Sequence, residues 1–205
     1  MKLVECAHQF ISKHVKNGSI TLDLTSGNGK DTLFLAKLAG DKGQVYAFDI
    51  QQSAVSITKK LLEAHGVDSL AQLKNSCHSK FPNFIPRSHY RKISAVMLNL
   101  GYMPNGNKEI ITTPKSTIAA IEQAYEWLED GGVISILCYL GHEGGNDEHI
   151  AVKHLIENKK WIFIKEVGSK KNESPILYLI IKNQKDEPSP NPFHNPLHQI
   201  QNRKV

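Results

Sequence analysis

Cysteine is scarce in this chain and has no pattern: Cys6, Cys77 and Cys138 are odd in number, far apart and in no CxxC pair. That excludes a disulfide framework and a cysteine-rich zinc site, and leaves buried free thiols in a reducing compartment as the expectation. Long apolar runs are missing too. None approaches the roughly 18 residues that span a bilayer, and the N-terminal MKLVECAHQFISKHVKNG is broken by charge too often for a secretory signal. A cytoplasmic protein without a membrane partner is expected. No HExxH occurs, and His142 and His149 alone do not make a ligand set, so no metal is expected. No internal repeat is visible.

What is there is an ordinary globular composition: 205 residues, 40% apolar and 22% charged. This length supports one domain with a substantial core. We assign residues 1–183 to it. From 184 to 205 the composition shifts, and Pro188, Pro190, Pro192 and Pro196 forbid helix and central strand, which marks a tail. A net charge of +5 with ten histidines favours a polyanionic partner by long-range attraction.

Leu3, Val4, Ala7, Phe10, Ile11 and Val15 fall at helical spacing, predicting an amphipathic helix that stops near Asn17-Gly18. Strands are then predicted at ITLDLT, GQVYAFDI, Leu70 to Lys74, ISAVMLNL and VISILCYL. Helices are predicted at DTLFLAKLAG, from Ser53 to His65, from Thr117 to Leu128 up to an Asp130-Gly131-Gly132 turn, and from Asn146 to Asn158. WIFIKEV and PILYLIIK close the chain as a hairpin. Such alternation implies an α/β fold: a Rossmann-like, doubly wound, seven-stranded sheet, mostly parallel with the last strand antiparallel and helices on both faces.

The stretch LDLTSGNGKDTLFLAKL carries the first chemical signal. It is not a Walker loop, because Lys30 is followed by Asp31 and no glycine stands five positions before Gly29. Nor does it complete a GxGxxG dinucleotide fingerprint: Thr32 holds the third glycine position, and Asp31 would repel a pyrophosphate at the helix N-terminus. Asp49 ends the second strand, where a carboxylate can accept both hydroxyls of a ribose. Asp23 either orders the loop or meets a cationic group. A nucleoside bearing a sulfonium and an amino acid tail, S-adenosylmethionine, satisfies these constraints.

The order of elements is similar to that of class I S-adenosylmethionine-dependent methyltransferases. More narrowly, DLTSGNGKDTLFLA, NLGYMPNGNKEIITTP and CYLGHEGGNDE together resemble the bacterial family once labelled putative rRNA methylases, over roughly Leu3 to Lys182. Its characterised members methylate the 5-aminomethyl group of wobble 2-thiouridine in tRNA. The sequence departs from the family in DLT, where DAT is expected, and in NGNK, where an aspartate is expected before the lysine. The resemblance implies a tRNA methyltransferase that engages the anticodon loop, with a homodimer allowed. Activity on rRNA or a small amine, and a noncatalytic RNA-binding module, remain alternatives.

Candidate cofactor-binding residues are Asp23, Gly27, Asn28, Gly29, Asp31 and Thr32 in the first loop and Asp49, Ile50 and Gln51 after the second strand. Cys77, His78 and Asn99 complete that set. NLGY follows the fourth strand and resembles the Asn-Pro-Pro-Tyr element of amino-methyltransferases. Asn99 and Tyr102 are therefore candidates to present the amine and stack on the base, with His78 a candidate contact for its proton. Gly101, Thr112, Thr113, His142 and Glu143 are candidate substrate residues, although Thr113 is also placed to cap a helix at Pro114. The runs Arg87 to Lys92 and Lys170-Lys171 are candidate backbone grips.

Overall fold

Short apolar runs, the central ones buried on both faces, alternate with runs of period three to four and assemble into one sheet layered by helices. The computed structural model describes residues 2–101, 110–168 and 174–183. In chain order the elements are α1 (Leu3–Ile11), β1 (Ile20–Asp23), α2 (Lys30–Ala39), β2 (Gln44–Asp49), α3 (Gln52–Ala64) and β3 (Ala71–Asn75). There follow β4 (Ile93–Leu100), α4 (Pro114–Trp127), β5 (Leu128–Cys138), α5 (Gly145–Lys159), β6 (Ile162–Val167) and β7 (Ile176–Ile181). The strand order is β3-β2-β1-β4-β5-β7-β6, with β7 antiparallel to both of its neighbours and the other pairings parallel.

The order reverses between β1 and β4, whose C-terminal edges therefore form the crevice where open α/β sheets bind ligands. Alternation along the strands decides what faces each helix layer. On β4, Val96, Leu98 and Leu100 join the core shared with α4 and α5, whereas Ala95 and Met97 join the core under α1 and α2. Asn99 shares the parity of Ala95 and Met97, so the pleat aims it at α1 and α2. Asp23 on β1 is on that face for the same reason, opposite in parity to Leu22 and Leu24 of the other core.

Three boundaries differ from the sequence reading. Helix α1 ends at Ile11, because Ser12 Oγ and His14 Nδ1 bond back to the carbonyls of His8 and Phe10 and turn the chain, although Val15 still packs in the core. Asp130-Gly131-Gly132 is not a free turn but a bulge within β5. Ile93 pairs with Leu128 while Ala95 pairs with Val133, and Lys182 holds the bulge by bonding Gly131 N and Gly132 O. Helix α4 starts earlier than expected, at Pro114. The tail from 184 to 205 and the Lys170-Lys171 run lie outside the described residues. Among the described residues no helix is long and apolar enough to cross a membrane.

Candidate active site

The glycine loop is shaped from behind by two aspartates. Asp23 is fully buried, accepts from Thr32 Oγ1 at 2.6 Å and Thr25 N at 3.2 Å, and so ties β1 to the first turn of α2. Burial, and then the charge of Asp31, pushes the Asp23 carboxyl up to about 7. Asp23 therefore orders the loop, and neither it nor Gly29 nor Thr32 lines the cavity. Of the two alternatives open for Asp23, contact with a cationic ligand is the one the geometry does not support. Gly29 is required instead by its backbone: φ is +79° and a Cβ would sit 2.9 Å from Thr58 Cα on α3.

Asp49 ties the same loop from β2. Its Oδ2 accepts from Gly27 N and its Oδ1 from Gln51 N, both at 2.9 Å. Desolvation raises its pKa, while these bonds hold the charged form. The Ile50 backbone bonds the carboxylate as well, which leaves capacity for a further donor.

Beyond the loop opens a cavity of about 880 Å³ at the C-terminal edges of β1, β2 and β4. It is lined by the predicted Gly27, Asn28, Asp31, Asp49, Ile50 and Gln51, and by Cys77 and His78 after β3. Ile50 is 60% exposed there, an apolar surface for a flat ring. Cys77 is half-buried, with its Sγ 3.2 Å from Ser79 Oγ. His78 is 7% exposed, and its Nε2 is buried with no hydrogen-bond partner among the described residues. Burial pushes the ring down to about 4 against a hydrogen bond with the Ser116 backbone, so near neutral pH it is an uncharged imidazole and a weak base.

The other wall comes from the second half of the chain. Asn99, Gly101, Thr112 and His142 all line the cavity. Asn99 N donates to Thr25 Oγ1 at 2.7 Å, and its Nδ2 donates to Asp31 Oδ2 at 2.6 Å. Gly101 and Thr112 clasp each other: Gly101 N donates to Thr112 Oγ1 at 2.7 Å and Thr112 N to Gly101 O at 3.0 Å. Thr112 Oγ1 then donates to Glu148 Oε2 at 2.6 Å, and Thr117 Oγ1 to Glu148 Oε1 at 2.5 Å. Thr112 is thus a structural joint as well as a wall residue. Thr113 does not line the cavity; it caps α4 through Ser116 N. Glu143 also lies off the wall, its carbonyl accepting from His142 Nδ1 at 2.8 Å, while a Cβ on Gly101 or Gly145 would meet the His142 ring at 3.0 Å. Tyr102 lies outside the described residues.

The sequence reading missed α1 and Glu148. Lys2, Val4 and His8 reach the cavity, and His8 stacks flat on Phe34 with ring centroids 3.8 Å apart. Nothing in the spacing of an amphipathic helix marks one of its histidines as a site residue. Glu148 sits inside the CYLGHEGGNDE block, and a lone glutamate in a helix gives no signal that it is 1% exposed.

An 880 Å³ cavity with carboxylates on its floor, an apolar ledge at Ile50 and the open Nε2 of His78 suits a cationic nucleoside. The residues present fit S-adenosylmethionine: Asp49 for the ribose and Ile50 for the base. Among the described residues no cluster of metal-binding side chains occurs. A doubly wound sheet with such a cavity at its switch point suits a methyltransferase that takes its methyl group from S-adenosylmethionine.

Comparison with known proteins gives the narrower class. The chain belongs to the family described as Putative rRNA methylase, whose model matches residues 45–182. It is 35% identical to the chloroplastic tRNA (mnm(5)s(2)U34)-methyltransferase of Arabidopsis thaliana over 195 residues, 89% of this chain and 70% of that protein. A putative rRNA methylase from Clostridium thermocellum matches with a TM-score of 0.82 and 36% identity, over 87% of this chain and 96% of that one. A putative methyltransferase from Streptococcus mutans, solved in complex with SAH, matches with a TM-score of 0.75 and 32% identity, over 89% of this chain and 98% of that one.

Proposed function

We propose that the protein methylates the amine nitrogen of 5-aminomethyl uridine, in its 2-thio form, at the wobble position of tRNA. The observation that carries this reading is the relationship across 89% of the chain to a methyltransferase named for that nucleoside. Asn99 supports it, because an amide whose nitrogen is engaged by Asp31 has its carbonyl oxygen left as an acceptor for an N–H. The net charge of +5 suits an RNA substrate.

In this reading Asp49 accepts the ribose hydroxyls, Gly27 and Asn28 let backbone approach the cofactor, and Ile50 and Cys77 wall its base. S-adenosylmethionine supplies an electrophilic methyl group. The chain must supply alignment and an unprotonated nucleophile. An aliphatic amine with a lysine-like pKa of about 10.4 carries a cost of roughly 4 to 5 kcal/mol for deprotonation at pH 7. Removal from water lowers that cost, and acceptors at Asn99 orient the lone pair. A ring titrating near 4 is too weak a base to hold that proton, so His78 acts as a neutral hydrogen-bonding partner in the wall. Tyr102 stacks on the uracil ring, and His142 shapes the pocket from the β5 side.

The test is mass spectrometry of nucleosides from tRNA lacking the final methyl, after incubation with protein and S-adenosylmethionine. One methyl gained on 5-aminomethyl-2-thiouridine is expected. Cofactor binding with that nucleoside unchanged would overturn the tRNA assignment and redirect the search to rRNA and small amines. Activity that ignores salt concentration would favour the small amine, since phosphate contacts make RNA affinity fall steeply with ionic strength.

A further inference from the structure

One carboxylate in the cavity wall joins three elements that are distant in sequence. Asp31, in the first turn of α2, is 8% exposed. Its Oδ1 lies 2.7 Å from His8 Nε2 on α1, and its Oδ2 accepts from Asn99 Nδ2 at the end of β4, at 2.6 Å. The His8 ring cannot easily swing away, because it lies within 2° of parallel to the Phe34 ring. Both carboxylate oxygens are thus committed, one to a helix that the cofactor loop does not contain and one to the amide proposed to meet the substrate.

The direction of the Asn99 amide follows from this arrangement. An ionised carboxylate only accepts, so an amide beside it must turn its nitrogen inward. The reverse orientation would press two acceptors together at 2.6 Å. The carbonyl oxygen is then the acceptor of that side chain left for the cavity, which Asn99 lines. A site presenting a fixed acceptor rewards a nucleophile with N–H bonds and penalises one that offers only lone pairs.

We propose that Asp31, held in place by His8, is a positioning residue that fixes the Asn99 amide with its oxygen toward the acceptor nucleophile and so selects an amine. This rests on the amine reading proposed above. Asp31 does not touch the reacting nitrogen; it acts through Asn99. The charged and titratable groups that share this corner are Asp23 and Tyr139, both raised in part by the charge of Asp31, and Lys2 and Lys30 on the cavity wall.

The test separates orientation from cofactor binding. Asp31→Asn lets the Asn99 amide turn either way, and kcat is expected to fall on the order of 100-fold, the scale of losing one preorganised polar contact at a reacting centre. Affinity for S-adenosylmethionine, measured by calorimetry, is expected to stay within about threefold. The exchange Asp31→Asn with Asn99→Asp again pairs an amide with a carboxylate, keeps an oxygen toward the cavity, and is expected to recover most of the lost rate. His8→Phe keeps the ring stack and loses the nitrogen, and is expected to lower kcat about tenfold; His8→Gln, which restores a nitrogen donor, is expected to recover much of that.

A second readout needs no turnover. In the cofactor-free protein the Asn99 side-chain amide protons are expected to resonate downfield and exchange slowly, and to lose both properties in Asp31→Ala. If Asp31→Asn weakens cofactor binding while leaving kcat at saturating cofactor intact, the carboxylate serves the cofactor and the proposal is overturned. Unshifted, fast-exchanging Asn99 protons in the wild type overturn it as well. A wild type that leaves the aminomethyl nucleoside unmethylated refutes the amine reading instead, while the amide resonances still decide whether Asp31 orients Asn99.

Discussion

Lowering the pH should unfold this protein through His78 by an amount the structure sets. An exposed imidazole titrates near 6.5, whereas burial in the cavity wall pushes His78 down to about 4. The folded-state value lies below the unfolded one, so the unfolded chain takes up the proton first. Stability from this group is full above the unfolded value and is lost as pH falls from 6.5 toward 4. At about 1.36 kcal/mol per unit, the loss is about 2 kcal/mol near pH 5 and approaches about 3 kcal/mol once pH falls below 4. Asp23 works in the opposite sense over an overlapping window. Its folded value of about 7 lies above the unfolded 3.8, so folding costs more as pH rises through that range. A bare pH profile would mix the two. The clean measurement is urea unfolding of the wild type and His78→Gln, near pH 7.5 and near pH 5, because Asp23 is common to both and cancels. The wild type should lose about 2 kcal/mol more than the variant over that interval. Parallel losses would refute the reasoning and place a charged ring in the wall.

Asp49→Ala is expected to weaken S-adenosylmethionine binding at least tenfold by calorimetry, the cost of a lost ribose contact, whereas Tyr102→Ala should mainly lower the rate at saturating cofactor. Gly29→Ala places a methyl group 2.9 Å from the Thr58 backbone at a φ of +79°, and should cost about 2 kcal/mol or more in unfolding free energy. Lys182 is 3% exposed and donates to the carbonyls of Tyr125, Glu126 and Leu128 at the end of α4. Lys182→Met should therefore lower stability by about 2 to 3 kcal/mol in a denaturant titration, with cofactor affinity unchanged.

What could be read in the sequence was what depends on local pattern. The apolar run ISAVMLNL placed Asn99 at the end of a buried strand, and of the loop residues singled out with it Gly27 and Asp49 line the cavity while Gly29 shapes the backbone behind it. The helix end marked by Gly40 came out within a residue or two. What could not be read was tertiary pairing. His8 meets Asp31 across 23 positions and Thr112 meets Glu148 across 36, and no single-sequence pattern encodes either distance. Asp130-Gly131-Gly132 misled for a related reason: its composition suits a turn, but Lys182, far along the chain, recruits its backbone into the sheet. Asp23 stood between two roles because a carboxylate before a glycine loop looks the same from either side. Only its full burial against Thr32 decided between them.

The clasp between Gly101 and Thr112 has a consequence for how such enzymes diverge. Two short hydrogen bonds close the base of the segment between them, and Glu148 anchors that base to α5. Insertions or exchanges between those two residues therefore meet β4 and α4 at a fixed gate and need not disturb the sheet. The cavity lining that follows the first three strands, from Gly27 to Cys77, lies outside that gate. Exchanges in that one short stretch can accordingly accumulate while the glycine-loop half of the cavity stays as it is.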